Sequence, residues 1–242
     1  MKYIHHFETR SQYTTARAAA LDSDPWVSYL DSDDLLTYSP ALNIEAAANG
    51  YEFVDLGLPS GTLWATCNVG AYSPEQSGGY YSWGETETKS GDRSWETYAF
   101  GPSDNSPSKY NVADGLTTLE LIDDAAHVNM GGNWRMPTLS EMTELVQQTS
   151  ISEDTVNGIG GKRFTGQNNN SIFIPETGNY WESTFASGGL MLWSSSLSNL
   201  KYSAMFLIGT SSMVANKDQR CYAHPVRGVF KTSRRWYNPL LL

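Results

Sequence analysis

Residues 131–148, GGNWRMPTLSEMTELVQQ, place a helix signature in the middle of a chain otherwise made of short apolar runs. Thr138 followed by Glu141 makes a capping box just after Pro137, and Met142, Leu145 and Val146 recur at helical spacing. A second helical pattern precedes it over Thr117–Ala126. Around the two lie strand-like runs broken by turn residues: EFVDLGL (52–58) and GTLWATCNVG (61–70) flank Pro59-Ser60-Gly61, and GGYYSWGE (78–85) follows. After Gly158 the chain returns to short strands, ending in PVRGVF (225–230). Strands, two helices, then many strands is the order of an α+β domain and not of a parallel βαβ sheet.

At 242 residues the chain is long enough to bury a core without a metal or disulfide. With 8 tryptophans and 14 tyrosines, aromatic side chains must supply much of that core. A net charge of −10 argues against nucleic acid as a partner, because phosphate binding draws on clustered Lys and Arg. The charge is uneven: Lys217–Leu242 carries +5, leaving −15 on the remainder, which suits docking on a neighbouring subunit as well as a solvated end. Two cysteines, Cys67 and Cys221, define no disulfide framework, and whether they pair stays open. The opening MKYIHHFETRSQYTTAR has no apolar core of a signal peptide, and no run approaches the ~20 apolar residues of a membrane span.

The expected organisation is a small N-terminal unit at 1–40, a linker at 41–50, one domain at 51–230 and a tail at 231–242. In the N-terminal unit Ser11 caps a helix through TTARAAAL, and Trp26–Leu30 and Leu35–Tyr38 flank DSDD as a hairpin. Such a unit buries too little to stand alone and reads as an assembly or attachment element.

Six phrases resemble the Fibrobacter succinogenes major paralogous domain family, common in Bacteroidetes and their phages. They are VDLGLPSGTLWATCNVGA (54–71), GGYYSWGET (78–86), GGNWRMPTLSEMTEL (131–145), NNSIFIPETG (169–178), LWSSSL (192–197) and RCYAHPVRGV (220–229), in the family's order. The resemblance implies a C-type-lectin-like fold, the fold also used by the variable proteins of diversity-generating retroelements. Read on their own, Trp64, Trp83, Trp134 and Trp193 sit in apolar settings as scaffold aromatics. Arg135 and Arg227, each flanked by apolar residues, are expected to hold carbonyls or carboxylates. The N-terminal segment, through FET…Y…VSY…YSP, also resembles the opening of Bacteroides phage and prophage structural proteins. Together these imply a receptor-binding protein of a phage tail, in the virion or on a bacterial surface. The other reading is a structural, fimbria-like surface protein with the same fold.

In the retroelement proteins the diversified positions fall between a WSSS-like phrase and a terminal VRPVR-like phrase. Here that interval is LWSSSLSNLKYSAMFLIGTSSMVANKDQRCYAHPVRG, from 192 to 228. Adenine-directed mutagenesis of an Asn codon reaches Phe, Leu, Ile, Ser, Tyr, His and Cys but not Met, Lys or Gln. The compatible residues, and so the candidate variable surface, are Ser198, Asn199, Leu200, Tyr202, Ser203, Phe206, Ile208, Cys221, Tyr222 and His224. The apolar ones are either buried or part of a recognition patch. Aromatic residues would give rigid contact area and Ser or Asn adaptable hydrogen bonds. The implied partners are a host cell-surface protein or glycan, other tail proteins, or further copies of the chain in a trimer.

Other chemistry finds little footing in the sequence. Pro175-Glu176 and Asn216-Lys217-Asp218 do not make the Glu-Pro-Asn and Trp-Asn-Asp loops by which C-type lectins hold calcium. His5, His6, His127 and His224 lack ligand spacing, so no metal site is expected. No phosphate loop, dinucleotide fingerprint or nucleophile elbow is present, and no cofactor or catalytic residue is assigned. Glu85 and Glu87 alternate along a strand-like run and would share a face, most simply a solvated one.

Overall fold

The computed structural model describes residues 48–103, 106–198, 203–209 and 213–231. The readings made for 1–40, for the linker up to 47 and for the tail from 232 lie outside these residues. Two α-helices lie among them, α1 (Ala125–Met130) and α2 (Leu139–Gln148), with a 3-10 turn at Leu121–Asp123. The strands are β1 (Phe53–Asp55), β2 (Thr62–Asn68), β3 (Tyr80–Ser82), β4 (Ser150–Val156), β5 (Ile159–Thr165), β6 (Ser171–Pro175) and β7 (Asn179–Trp181). They continue with β8 (Thr184–Ala186), β9 (Leu190–Leu197), β10 (Ser203–Gly209), β11 (Met213–Gln219), β12 (Ala223–Pro225) and β13 (Arg227–Lys231). All pairings between these strands are antiparallel, in four small sheets ordered β1-β2-β13, β11-β10-β9, β3-β12-β7-β8 and β4-β5-β6. The chain is therefore α+β. No helix among the described residues is long and apolar enough to cross a membrane.

Helix α2 forms where its cap is written. Thr138 Oγ1 accepts from Glu141 N at 3.3 Å while Glu141 Oε2 accepts from Thr138 N at 3.0 Å. Its first turn is fastened to β9, since Leu139 N donates to Ser196 Oγ and Ser195 N to the Pro137 carbonyl. The buried face of α2, Met142 and Leu145, meets Phe164, Ile172 and Ile174 of β5–β6 and Leu192 and Leu207 of β9–β10 in one core cluster. Each such side chain contributes roughly 1.5–3 kcal/mol of burial.

The earlier helix differs from its pattern. Over 117–119 the backbone is extended against β9, with Leu119 N on the Ser195 carbonyl and Leu197 N on the Thr117 carbonyl. The helix begins only at Ala125, after Asp124 accepts from His127 N at 2.9 Å. Strand pairing satisfies backbone groups that a solvent-side helical turn would leave to water, and the aspartate then supplies the cap. Glu85 and Glu87 also depart from expectation, because Trp83 and Gly84 form a turn. Glu85 is buried against Lys89 Nζ (2.6 Å) and Ala99 N (2.7 Å), while Glu87 is exposed.

The phrases of the sequence interlock. Trp83 Nε1 donates to the Ser194 carbonyl and Trp193 Nε1 to the Tyr81 carbonyl, each at 2.8 Å, so the second and fifth phrases clasp each other. Arg135 and Val229 exchange two backbone bonds of 3.0 and 2.8 Å, joining the third to the sixth. Trp64, Trp83, Trp134 and Trp193 are all fully buried. Gly78 is needed where β2 turns towards β3: its φ is 69° and a Cβ there would strike the Val69 carbonyl.

Candidate ligand-binding face

The C-terminal segment is laid out by β9–β10–β11. Ser203↔Gln219 through Gly209↔Met213 pair in unbroken register, and among the described residues β11 pairs with β10 alone, leaving most of its side chains exposed. The chain then turns at Arg220-Cys221-Tyr222 into β12, which runs between β3 and β7.

The candidate variable residues do not share one face. Phe206 is 4% exposed and His224 fully buried; their rings stack at 4.7 Å, and His224 also meets Trp193 edge-on at 4.2 Å. Cys221 and Ser198 are buried as well. Phe206, His224 and Cys221 therefore belong to the core of this chain and not to its surface. Ala223 and Val226, beside His224 in the chain, are buried too. Ser203 and Ile208 lie in β10, with Ile208 opposite both Val214 and Met191. Asn199, Leu200 and Tyr202 fall outside the described residues. Tyr222 alone of the set is half-buried with a described side chain.

Tyr222 leads to residues that the sequence reading passed over. Gln219 Nε2 donates to Tyr222 Oη at 3.2 Å, and Trp95 Nε1 donates to Gln219 Oε1 at 2.7 Å. Trp95 lines a depression of about 410 Å³ with Asp92, Ser94, Glu96, Pro102, Ser103 and Glu182. Five of these partners come from the loop after β3, and Glu182 comes from the β7–β8 turn. The Tyr222 phenol is held above its usual range, first by burial and then by nearby negative charge including Asp218 and Glu182. One sign was available in the sequence: Trp95 sits in GDRSWETY, a polar setting unlike that of the scaffold tryptophans.

The platform is held from beneath by Arg220. Its guanidinium is fully buried 5.7, 5.8 and 5.9 Å from the ring centres of Trp83, Trp95 and Tyr98. Nη1 donates to the Lys109 and Tyr110 carbonyls, each at 3.2 Å. Burial lowers its pKa. A single cation thus pins both walls of the loop to the C-terminal segment.

A second, smaller cavity of about 180 Å³ lies between Thr66, Pro74, Val156 and the β5–β6 side chains Arg163, Ser171, Ile172 and Phe173. Arg163 is already committed there, to Asp154 at 2.6 Å and Ser171 at 3.2 Å.

Cys67 and Cys221 are both free thiols. Burial pushes the Cys221 thiol up to about 12, so it stays protonated at neutral pH. Titration of the folded protein with a thiol reagent should modify half-buried Cys67 first and Cys221 only on unfolding. Equal rates for the two would contradict this placement.

No family model matches the chain, and no curated protein or solved structure resembles it significantly.

Proposed function

We propose that residues 51–230 are a C-type-lectin-like binding module of a phage tail-associated adhesin, which recognises a protein or glycan on the host cell surface. Support for the fold is the interlocking of the phrases, the second with the fifth and the third with the sixth, since residues that carry the resemblance hold one another. The observation that carries the function is the Trp95–Gln219–Tyr222 chain, which puts an aromatic depression against the C-terminal segment. The face of recognition is then Trp95 and Tyr222, joined through Gln219, while Phe206, Cys221 and His224 lie in the core.

Trp95→Ala and Tyr222→Ala test this reading through binding of the full chain to host cells. Interface aromatics of this kind contribute about 2 kcal/mol or more, so each variant should bind roughly thirtyfold more weakly while remaining folded. Cell binding equal to that of the parent chain in both variants would refute it. The diversification part of the proposal requires a reverse transcriptase and a near-copy of the codons for 191–230 beside the gene; sequencing that finds neither removes it.

A further inference from the structure

We propose that the Trp95 depression takes lysine or arginine side chains from an extended basic segment of a partner protein. This rests on the recognition reading above and specifies its ligand. Three carboxylates, Asp92, Glu96 and Glu182, meet there at the rim of an indole, and no lysine or arginine is among the lining residues. All three residues are exposed, and none of them is ion-paired to another described residue.

Three described cations on or under this loop, Lys89, Arg93 and Arg220, are committed to other groups. Lys89 holds Glu85 and the Thr97 carbonyl, both at 2.6 Å. Arg93 is buried, lies 4.1 Å from the Tyr180 ring centre, and donates to the Gly91 and Lys89 carbonyls. Arg220 is enclosed by its aromatic rings. The described lining of the depression thus carries negative charge alone, in a chain of net charge −10.

The remaining surface of Trp95 decides between ligands. Its one polar atom, Nε1, is taken by Gln219, so the indole offers its ring. A ring with three carboxylates around it suits a cation, for which indole is the best aromatic platform. A neutral polyol would gain the stacking but leave the three charges unmatched. The carboxylates come from two separate elements, the loop after β3 and the β7–β8 turn, and a volume of about 410 Å³ exceeds what one side chain fills. Both features fit successive basic residues of one extended segment better than a single small cation.

The test is calorimetric titration of the full chain with a hexapeptide of alternating Gly and Lys, against its Gly-Gln counterpart. The lysine peptide should bind and the glutamine peptide should not. Affinity should fall at least about tenfold in Trp95→Ala, in the combined Asp92→Asn, Glu96→Gln and Glu182→Gln variant, and between about 0.05 and about 0.5 M NaCl. Equal binding of the two peptides, or full binding by the neutralised variant, overturns the proposal. Cell binding separates the two levels. If Trp95→Ala abolishes adhesion while the neutralised variant adheres normally, the cationic ligand is wrong and the recognition reading stands. If Trp95→Ala and Tyr222→Ala both adhere normally, both fall; if Trp95→Ala alone does, the cationic ligand at Trp95 is wrong.

Discussion

Replacing Arg227 with methionine is expected to cost about 3–5 kcal/mol of folding stability, the largest effect of any single change considered. The side chain is fully buried and its guanidinium serves four acceptors: Asn68 Oδ1 at 2.8 Å, the Ala65 and Thr66 carbonyls at 2.9 and 2.6 Å, and the Phe173 carbonyl at 3.3 Å. It thereby ties β13 to β2 and β6, joining two sheets through one planar fork. No carboxylate is among those partners. Burial accordingly pulls its pKa down to about 10, which shows that the charge itself is costly and that the hydrogen bonds offset it. Methionine nearly preserves volume and removes the charge, but it takes the Arg227 donor from three buried acceptors and one partly exposed one, each buried loss worth roughly 1–3 kcal/mol and not fully additive. Arg227→Lys keeps the charge and loses the fork, so it should fall between the two. Urea denaturation decides the matter: a methionine variant within about 0.5 kcal/mol of the parent would mean that the neighbouring carbonyls find other donors.

The α+β class could be read because its signals are local. The capping box at Thr138 and Glu141 and the period of Met142 and Leu145 act within a few residues, and α2 forms where they place it. The pattern at 117–126 failed for a non-local reason, the pairing of 117–119 with β9 some eighty residues later in the chain. The same limit governs the candidate face. A residue type compatible with recognition is equally compatible with the core, and only the packing of Trp193, Phe206 and His224 assigns two of the candidates inward. Trp95 joins Gln219 across a separation of 124 residues, and Glu182 arrives from a third part of the chain. No spacing rule brings those together; the polar surroundings of Trp95 are as far as the sequence goes.

Acid should weaken the fold through Glu141, and the second large effect is expected there. Burial alone would raise this carboxyl, yet the groups around it win. Arg135 grips both oxygens at 2.7 and 2.6 Å, Thr138 N and Oγ1 donate at 3.0 and 3.1 Å, and Lys231 lies at 3.2 Å. The result is a pKa lowered from 4.5 to about 2. A carboxyl depressed on folding stabilises fully above its unfolded pKa, and the contribution drains away as pH falls from about 4.5 to about 2. At 1.36 kcal/mol per unit this is about 3 kcal/mol, as an order of magnitude. Asp124 works in the opposite sense, since burial raises its pKa and protonation in acid relieves it. The variant Glu141→Gln isolates the first group from the second. At pH 7 it should be less stable by about 2–3 kcal/mol, because the neutral amide loses the charge pairing and cannot accept the Arg135 fork on both sides. Between pH 5 and pH 2.5 its stability should fall less steeply than that of the parent, by the slope that one proton contributes. Parallel stability curves for the two proteins across that window would show that the Arg135–Glu141 cluster is not what fastens α2 to the strands around it.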